Sequence, residues 1–401
     1  MDAMKNNGMD FTTKQPKYEP PPNLVSRTAR TRPVDPNSPV KRISLELSRQ
    51  CNLKCLYCYS NATGAPRVGL TDDEVRAIIA EAAACGARAV SIVAGGESLL
   101  RRSILVDGES CIDYANDLGC YTYLYTNCTL MDTDAAQWLA KRDVSVVGKF
   151  NSLRDDVQDQ LAGVSGSARR IKRGVQALLD AGFADANSPR LALETVITRQ
   201  NYDEMPEMWR WMRQRAIIPE VELPTNHGRA AENHDTLYFD EDEAPEKYRV
   251  LFEELLAIDR REFGFDWVPH PPFAAGSCQL YYSNAYINDR GGVQPCAGVT
   301  REYGMLRVGT NKDSGQPLAE IVTTHEFQKL RRINELITGA CKECDQRENC
   351  YGCRAAAWHK TGDLFAEDPI CWRKETAKRK VRLPVIAPSH ATHRFPHWLG
   401  C

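Results

Sequence analysis

From Arg42 to Leu47 the chain reads RISLEL, apolar and polar positions alternating with the period of two that lays one face of a strand against a core. A helical period then takes over. Thr71-Asp72-Asp73-Glu74 forms a capping box, with Thr71 at the N-cap and Glu74 three residues on, and VRAIIAEAAAC carries the helix to Gly86. A second strand is expected over Ala89–Ala94. Next come a helix near Cys111–Leu118, a strand at Cys120–Thr126, a helix near Asp134–Lys141 and a strand at Val144–Phe150. A helix from about Ser167 stops at Gly182, a strand follows at Leu191–Thr198, and the helix Pro206–Arg215 leads into a strand at Val221–Pro224. Strands alternating with helices of this length predict βαβ units and a parallel sheet, so the class is α/β. Six units fit between Arg42 and about Ala230, and function in such sheets gathers at the C-terminal strand ends.

Outside these units the pattern changes. Residues 1–40 hold Pro20–Pro22, Pro33, Pro36 and Pro39, the composition of an extended, disordered leader. A polar stretch around Glu232–Glu243 marks a boundary, and an amphipathic helix near Pro245–Arg261 bridges to a cysteine-rich segment. The expected division is a leader to 40, a barrel over 41–232, a linker over 233–275, a small domain over 276–375 and a tail over 376–401. With 401 residues, two or three domains are affordable. A net charge of −2 creates no field for nucleic acid or anionic membrane, and no run of eighteen apolar residues offers a bilayer span. The N-terminus lacks an apolar signal segment, so a cytoplasmic protein is expected. Fifteen cysteines in that compartment point to metal or redox chemistry, because disulfides are rare there.

Cys51, Cys55 and Cys58 lie within eight residues, spaced C-x-x-x-C-x-x-C, with Tyr57 just before the last. Thiolates this close can converge on a soft metal centre. Three of them leave one iron of a four-iron cluster for a non-protein ligand. A zinc knuckle or a group of buried thiols is the competing reading, although structural zinc wants four ligands. About forty residues on, Gly95-Gly96-Glu97 ends the second strand, where absent Cβ atoms admit a close ligand and a carboxylate follows. Thr126-Asn127 ends the third strand; Asn127 suits either a ligand contact or an ordinary Asx turn.

Together these motifs resemble the signature of the radical S-adenosylmethionine (radical SAM) enzymes. The resemblance implies a partial (β/α)6 barrel and a 4Fe-4S cluster on Cys51, Cys55 and Cys58. Its open iron would chelate SAM, with Tyr57, Gly95, Gly96, Glu97, Thr126, Asn127 and Glu194 around the cofactor. Asn201 is a further candidate near the adenine. Ser98 stands where the family usually has proline, and Cys128 where it has glycine.

A second set, Cys278, Cys296, Cys341, Cys344, Cys350, Cys353 and Cys371, includes C-x2-C-x5-C-x2-C followed by RAAAWHKTGDLFAEDPIC. Two C-x-x-C units also suit a zinc ribbon. The ending resembles the SPASM auxiliary-cluster domain. That resemblance implies one cluster on Cys341, Cys344, Cys350 and Cys371, and a second, nearer the barrel, on Cys278, Cys296 and Cys353. Its fourth ligand is open; Cys401, in a tail with His390, His393 and His397, is a candidate.

The implied reaction cleaves SAM to a 5′-deoxyadenosyl radical that abstracts a carbon-bound hydrogen, with electrons from a flavodoxin- or ferredoxin-type reductant. Lys149 and Asn151, at the fourth strand end, are expected to face the cavity as catalytic or substrate-binding groups, Lys149 as a base if burial lowers its pKa. Cys128 is a third candidate there, and Arg229 could pair with a substrate carboxylate or phosphate. A strand end of this kind would suit a polyhydroxylated small molecule, so dehydrogenation or epimerisation of a sugar or aminocyclitol is the leading expectation. Maturation of a peptide is the alternative. A non-catalytic iron–sulfur carrier would explain the cysteines but not the glycine turn or the six βα units.

Overall fold

Ile43 and Leu45 of β1 (Arg42–Leu45) are wholly buried on one face of the strand, while Ser44 and the following Glu46 lie on the other. The same division repeats across the sheet in the computed structural model, which describes residues 38–65, 69–93, 95–299, 306–307 and 315–373. The expected leader over 1–37, Ala94 at the end of the second expected strand and the tail with Cys401 lie outside these described residues.

Among the described residues nine strands form one sheet: β1, β2 (Ala89–Ile92), β3 (Tyr121–Thr126), β4 (Val144–Lys149), β5 (Leu191–Val196), β6 (Ile218–Glu222), β7 (Asn284–Ile287), β8 (Gly292–Gln294) and β9 (Leu306–Arg307). Their order is β6-β5-β4-β3-β2-β1-β7-β8-β9. All neighbours from β6 to β7 are parallel, and β8 and β9 add antiparallel. The connections carry α1 (Asp72–Ala84), α2 (Cys111–Asp117), α3 (Thr133–Ala140), α4 (Asp155–Ala162), α5 (Ser167–Asp180) and α6 (Met205–Gln214). Val90, Ile92, Leu124, Val146, Leu193 and Val221 join Ile43 and Leu45 in the core between sheet and helices. The opposite face lines a lumen. Tyr125, Val147, Ala192 and Ile218 make an apolar layer across four strands, and Lys149, Glu194 and Glu220 are the next layer towards the C-terminal ends.

Three features depart from the sequence expectation. β7 pairs with β1 in parallel, so the segment expected to stand apart as a second domain contributes three strands to the first domain's sheet. β6 begins at Ile218, three residues before the expected start, because Ile218 joins the apolar lumen layer. α4 was not anticipated; Val157 and Leu161 bury its inner face against Leu56 and Tyr57 of the cysteine loop.

The outer edge of β6 is covered by the segment at 272–274, where Leu223 N–H donates to Pro272 O at 2.9 Å and Ala274 N–H to Val221 O at 2.8 Å. Covering an edge removes a template for unwanted pairing. That segment is reached through α7 (Ala244–Ile258), which ends at the wholly buried Asp259. Asp259 accepts from Trp209 Nε1 at 2.7 Å, Trp267 Nε1 at 3.0 Å and Arg213 at 2.8 and 3.0 Å, tying α6 to α7.

Candidate active site

The loop that carries Cys51, Cys55 and Cys58 lies over the C-terminal end of β1 and is stitched down on two sides. Lys54 and Leu56 N–H donate to Ala162 O and Leu161 O at the end of α4, at 3.1 and 2.9 Å. On the other side Arg229 donates from Nε to Cys55 O at 2.9 Å, from Nη1 to Ala62 O at 2.8 Å and from its backbone N–H to Cys58 O at 2.9 Å. Arg229 is therefore a clamp on the loop, not the ligand-pairing arginine that its position after β6 suggested. Its neighbour Gly228 is obligatory: φ is +58°, and a Cβ there would lie 2.4 Å from Tyr59 O.

The thiols are only partly covered, and hydrogen-bond donors face two of them. Cys51 Sγ accepts from Leu53 N–H at 3.4 Å and lies 3.8 Å from Asn127 Nδ2. Cys55 accepts from the Tyr57 hydroxyl, whereas Ser60 Oγ, 3.3 Å from Cys58 Sγ, gives its own proton to Gly95 O and so accepts from that thiol. Burial pushes Cys51 up to about 11 and Cys55 up to about 12, so without a cation both stay protonated. A metal replacing those protons would find donors already aimed at sulfur, amides at Cys51 and the Tyr57 hydroxyl at Cys55, of the kind that tune iron–sulfur ligands. Among the described residues no three His, Cys, Asp or Glu side chains meet closely enough to grip a single ion; the thiols share a neighbourhood, not a point.

The glycine turn serves this loop directly. A Cβ on Gly96 would lie 2.0 Å from Gln50 O, and one on Gly95 would meet the Glu46 side chain at 3.0 Å. The close approach is thus to the cysteine loop's own backbone. Glu97 N–H donates to Gln50 O at 2.9 Å. The Glu97 carboxylate is buried and turned inwards, accepting from Leu99 N–H at 3.0 Å, Thr126 Oγ1 at 2.7 Å and Asn127 N–H at 2.7 Å. Burial raises its pKa and these donors pull it back. It locks the ends of β2 and β3 together. Asn127 makes the Asx turn, accepting from Thr129 N–H at 2.9 Å, and reaches across to Asn52 Oδ1 at 2.9 Å in the cysteine loop.

At the ends of β4 to β6 the expected catalytic groups take other roles. Lys149 Nζ is 3.1 Å from Glu194 and 3.5 Å from Glu222. Burial works against its charge, but the two carboxylates overcome this and hold its pKa above the ordinary lysine value. A lysine so held stays protonated at neutral pH, which removes the general-base role. Glu194 is accordingly this lysine's partner. Asn151 is wholly buried with its groups engaged: Nδ2 donates to Tyr57 Oη at 2.6 Å, Oδ1 accepts from Val196 N–H at 2.9 Å, and its backbone N–H reaches Gln158 Oε1 at 2.8 Å. It positions Tyr57, whose ring lies 5.2 Å from Lys149 Nζ. Asn201 is likewise internal, donating to Asn151 O and Val196 O. Cys128 leaves the site altogether. Its thiol packs on the helix side of the sheet, where a Cβ on Gly148 would be 2.7 Å away, and none of it is exposed. Its backbone φ of +60°, at a position where the resemblance expects glycine, turns it there.

Sequence reasoning missed Glu220 and Glu222. Their alternation in IPEVE is the signal, hidden by starting the strand too late. Glu220 is 3% exposed and both its carboxylate oxygens lack a hydrogen-bond partner. Burial, then Glu194 and Glu222, hold its pKa well above the carboxylate range. Also missed was a chain from β1 to β7: Tyr59 Oη lies 3.0 Å from Tyr286 Oη, which donates to Glu46 at 2.7 Å, and Glu46 pairs with Arg49 at 3.3 Å.

The second cysteine set is drawn from the segments flanking β7 and β8 and from residues 341–371. Cys296 and Cys278 bear electrostatically on Cys353, and Cys350 and Cys341 on Cys371, while Cys350 also bears on Cys278 across the two groups. All seven accept from N–H or O–H: Cys278 from Tyr351 Oη at 3.0 Å, Cys296 from Tyr281 Oη at 3.8 Å, Cys341 from Asp368 N–H at 3.4 Å, Cys344 from Gln346 N–H at 3.5 Å, Cys350 from Gly352 N–H at 3.3 Å, Cys353 from Ala356 N–H at 3.4 Å and Cys371 from Arg373 N–H. This donor set fits iron–sulfur ligation as the N-terminal one does.

Residues 45–212 match the model of the radical SAM superfamily. The AdoMet-dependent heme synthase of Nitratidesulfovibrio vulgaris is 27% identical over 370 residues, covering 85% of this chain and 94% of that one. The PqqA peptide cyclase of Bradyrhizobium diazoefficiens is 27% identical over 338 residues, covering 82% and 85%. Among solved structures, Streptococcus suis SuiB bound to S-adenosylmethionine superposes with a TM-score of 0.59 at 17% identity over 83% of this chain and 77% of that one, a likeness of fold.

Proposed function

We propose that this chain, a radical SAM enzyme with a cysteine-rich C-terminal region, modifies a peptide substrate. When bound, the reduced cluster and SAM supply a 5′-deoxyadenosyl radical for hydrogen abstraction from carbon. In this reading Cys51, Cys55 and Cys58 hold the cluster, and Arg229 with Gly228 keeps their loop in place. Glu97, Thr126 and Asn127 shape the cofactor side of the turn, and Tyr57, braced by Asn151, closes the lumen side. Cys341, Cys344, Cys350 and Cys371 hold one auxiliary cluster, and Cys278, Cys296 and Cys353 hold another. The electron donor is of flavodoxin or ferredoxin type.

The observation that carries the peptide reading is the engagement of Lys149 and Asn151. The sugar or aminocyclitol expectation rested on that strand end, and its polar groups are consumed internally. With that support gone, the chain-long likeness to a peptide cyclase is the better guide to substrate class. A tetrapyrrole substrate is the second reading, favoured by the heme synthase match. The lumen carboxylates Glu194 and Glu222 weigh against a ligand carrying propionates.

The test is transfer of deuterium. Reconstituted enzyme with dithionite and SAM is given a perdeuterated small-peptide fraction, a perdeuterated sugar fraction or a deuterated iron porphyrin. Label is expected in 5′-deoxyadenosine from the peptide fraction. Label from the sugars or the porphyrin alone refutes the peptide reading.

A further inference from the structure

Tyr351 follows Cys350 directly, yet its hydroxyl ends on the other cysteine group. The oxygen accepts from Tyr281 N–H at 3.2 Å. Because a backbone amide can only donate, the phenol's own proton is left for Cys278 Sγ, 3.0 Å away. That contact is shorter than the 3.3–3.5 Å N–H contacts to Cys350 and Cys344. The ring has no freedom to turn away: it is 1% exposed and packed edge-on by Tyr281 at 5.4 Å and Tyr282 at 5.1 Å. A buried aromatic that merely filled the core would need no oriented hydroxyl, and Phe would serve.

We propose that Tyr351 is a positioning residue that sets the reduction potential of the iron–sulfur centre held by Cys278. The inference rests on the reading that Cys278, Cys296 and Cys353 ligate a cluster. One-electron reduction adds a negative charge that spreads onto the ligating sulfurs, and a donor aimed at sulfur stabilises that charge. The Tyr351 phenol therefore makes this centre easier to reduce than it would be with its other donors alone, the amides and the longer 3.8 Å contact of Tyr281 Oη to Cys296 Sγ. It also links the two groups physically, since the peptide bond to Cys350 joins the same residue to the outer set.

The test is an EPR-monitored redox titration of the reconstituted full-length protein without SAM, comparing wild type with Tyr351→Phe. At the potential that half-reduces the wild-type centre, the reduced-to-oxidised ratio of that centre is expected to fall about threefold to tenfold, with the other signals unmoved. Tyr282→Phe, whose hydroxyl bonds Asn334 and not sulfur, is expected to leave every potential in place. An unchanged potential in Tyr351→Phe overturns the proposal. If the Phe variant fails to retain the centre, 3-fluorotyrosine at position 351 keeps the ring and strengthens the donor. The ratio should then rise, and no rise overturns the proposal equally. Iron and sulfide contents unaffected by Cys278→Ala and Cys353→Ala would instead remove the underlying reading of the ligands.

Discussion

Replacing Lys149 with Met takes the lysine from a site where Glu194 and Glu222 approach its ammonium at 3.1 and 3.5 Å and Glu220 stands in the same layer. At an effective dielectric constant near 20, each contact is worth roughly 5 kcal/mol of gross attraction, most of it cancelled by desolvation. The net cost of orphaning one side of a buried pair is about 3–5 kcal/mol. These side chains are 17–19% exposed, so the lower end, about 3 kcal/mol, is expected. The sign with pH follows from the carboxylates. Glu220, whose pKa burial and its two carboxylate neighbours already raise, loses a cation that lowers it, so it holds its proton more readily folded than unfolded and the variant gains stability as pH falls from 8 towards 5. Wild-type Lys149, with its pKa raised, contributes fully throughout that window. Urea denaturation at several pH values measures both effects. The double variant Lys149→Met/Glu194→Gln removes one of the crowded charges and should recover a third or more of the loss, together with SAM cleavage. Full stability in Lys149→Met, or a stable double variant that cleaves no SAM, would refute the brace and restore a chemical role for the lysine.

Other perturbations read other parts of the site. Changing Cys51, Cys55 and Cys58 to Ala should remove about four irons per chain and abolish 5′-deoxyadenosine formation, while iron bound by the second set persists; metal analysis and product chromatography check it. In Glu97→Gln the amide cannot accept from both Thr126 Oγ1 and Asn127 N–H, at a cost of about 1–3 kcal/mol. Because burial raises the Glu97 pKa, the wild-type contribution of this group falls as pH rises through that pKa, and the variant's stability-versus-pH curve should be flatter there. Arg213→Met leaves Asp259 buried without its guanidinium and should cost about 3–5 kcal/mol in denaturant melts with the potentials of the iron centres unchanged.

Each local rule in this chain rests on a short window of residues, and those windows were legible. The capping box at Thr71–Glu74 is formed as read, with Glu74 N–H donating to Thr71 Oγ1 and the Glu74 carboxylate accepting from Thr71 N–H. The alternation in RISLEL and its successors sorts core from lumen, and the cysteine spacings mark both sets of thiols before any coordinate is known. Periodicity and spacing are properties of the backbone repeat, so they survive without tertiary context.

What a polar side chain does at a strand end depends on partners far away in sequence, and only the tertiary structure decides that. Lys149 reads as a candidate base until Glu222, 73 residues on, holds it charged. Arg229 reads as a ligand-pairing residue until it meets carbonyls 174 and 167 residues before it. Cys128 reads as a cavity thiol until a positive φ points it into the core. The joining of β7 to β1 was equally invisible, since parallel partners such as Arg42 and Asn284, 242 residues apart, leave no local mark. Sequence alone marked which thiols are candidate iron ligands; the packing of distant segments decided which polar groups remain available to do anything else, because most buried polar groups are taken up by a partner.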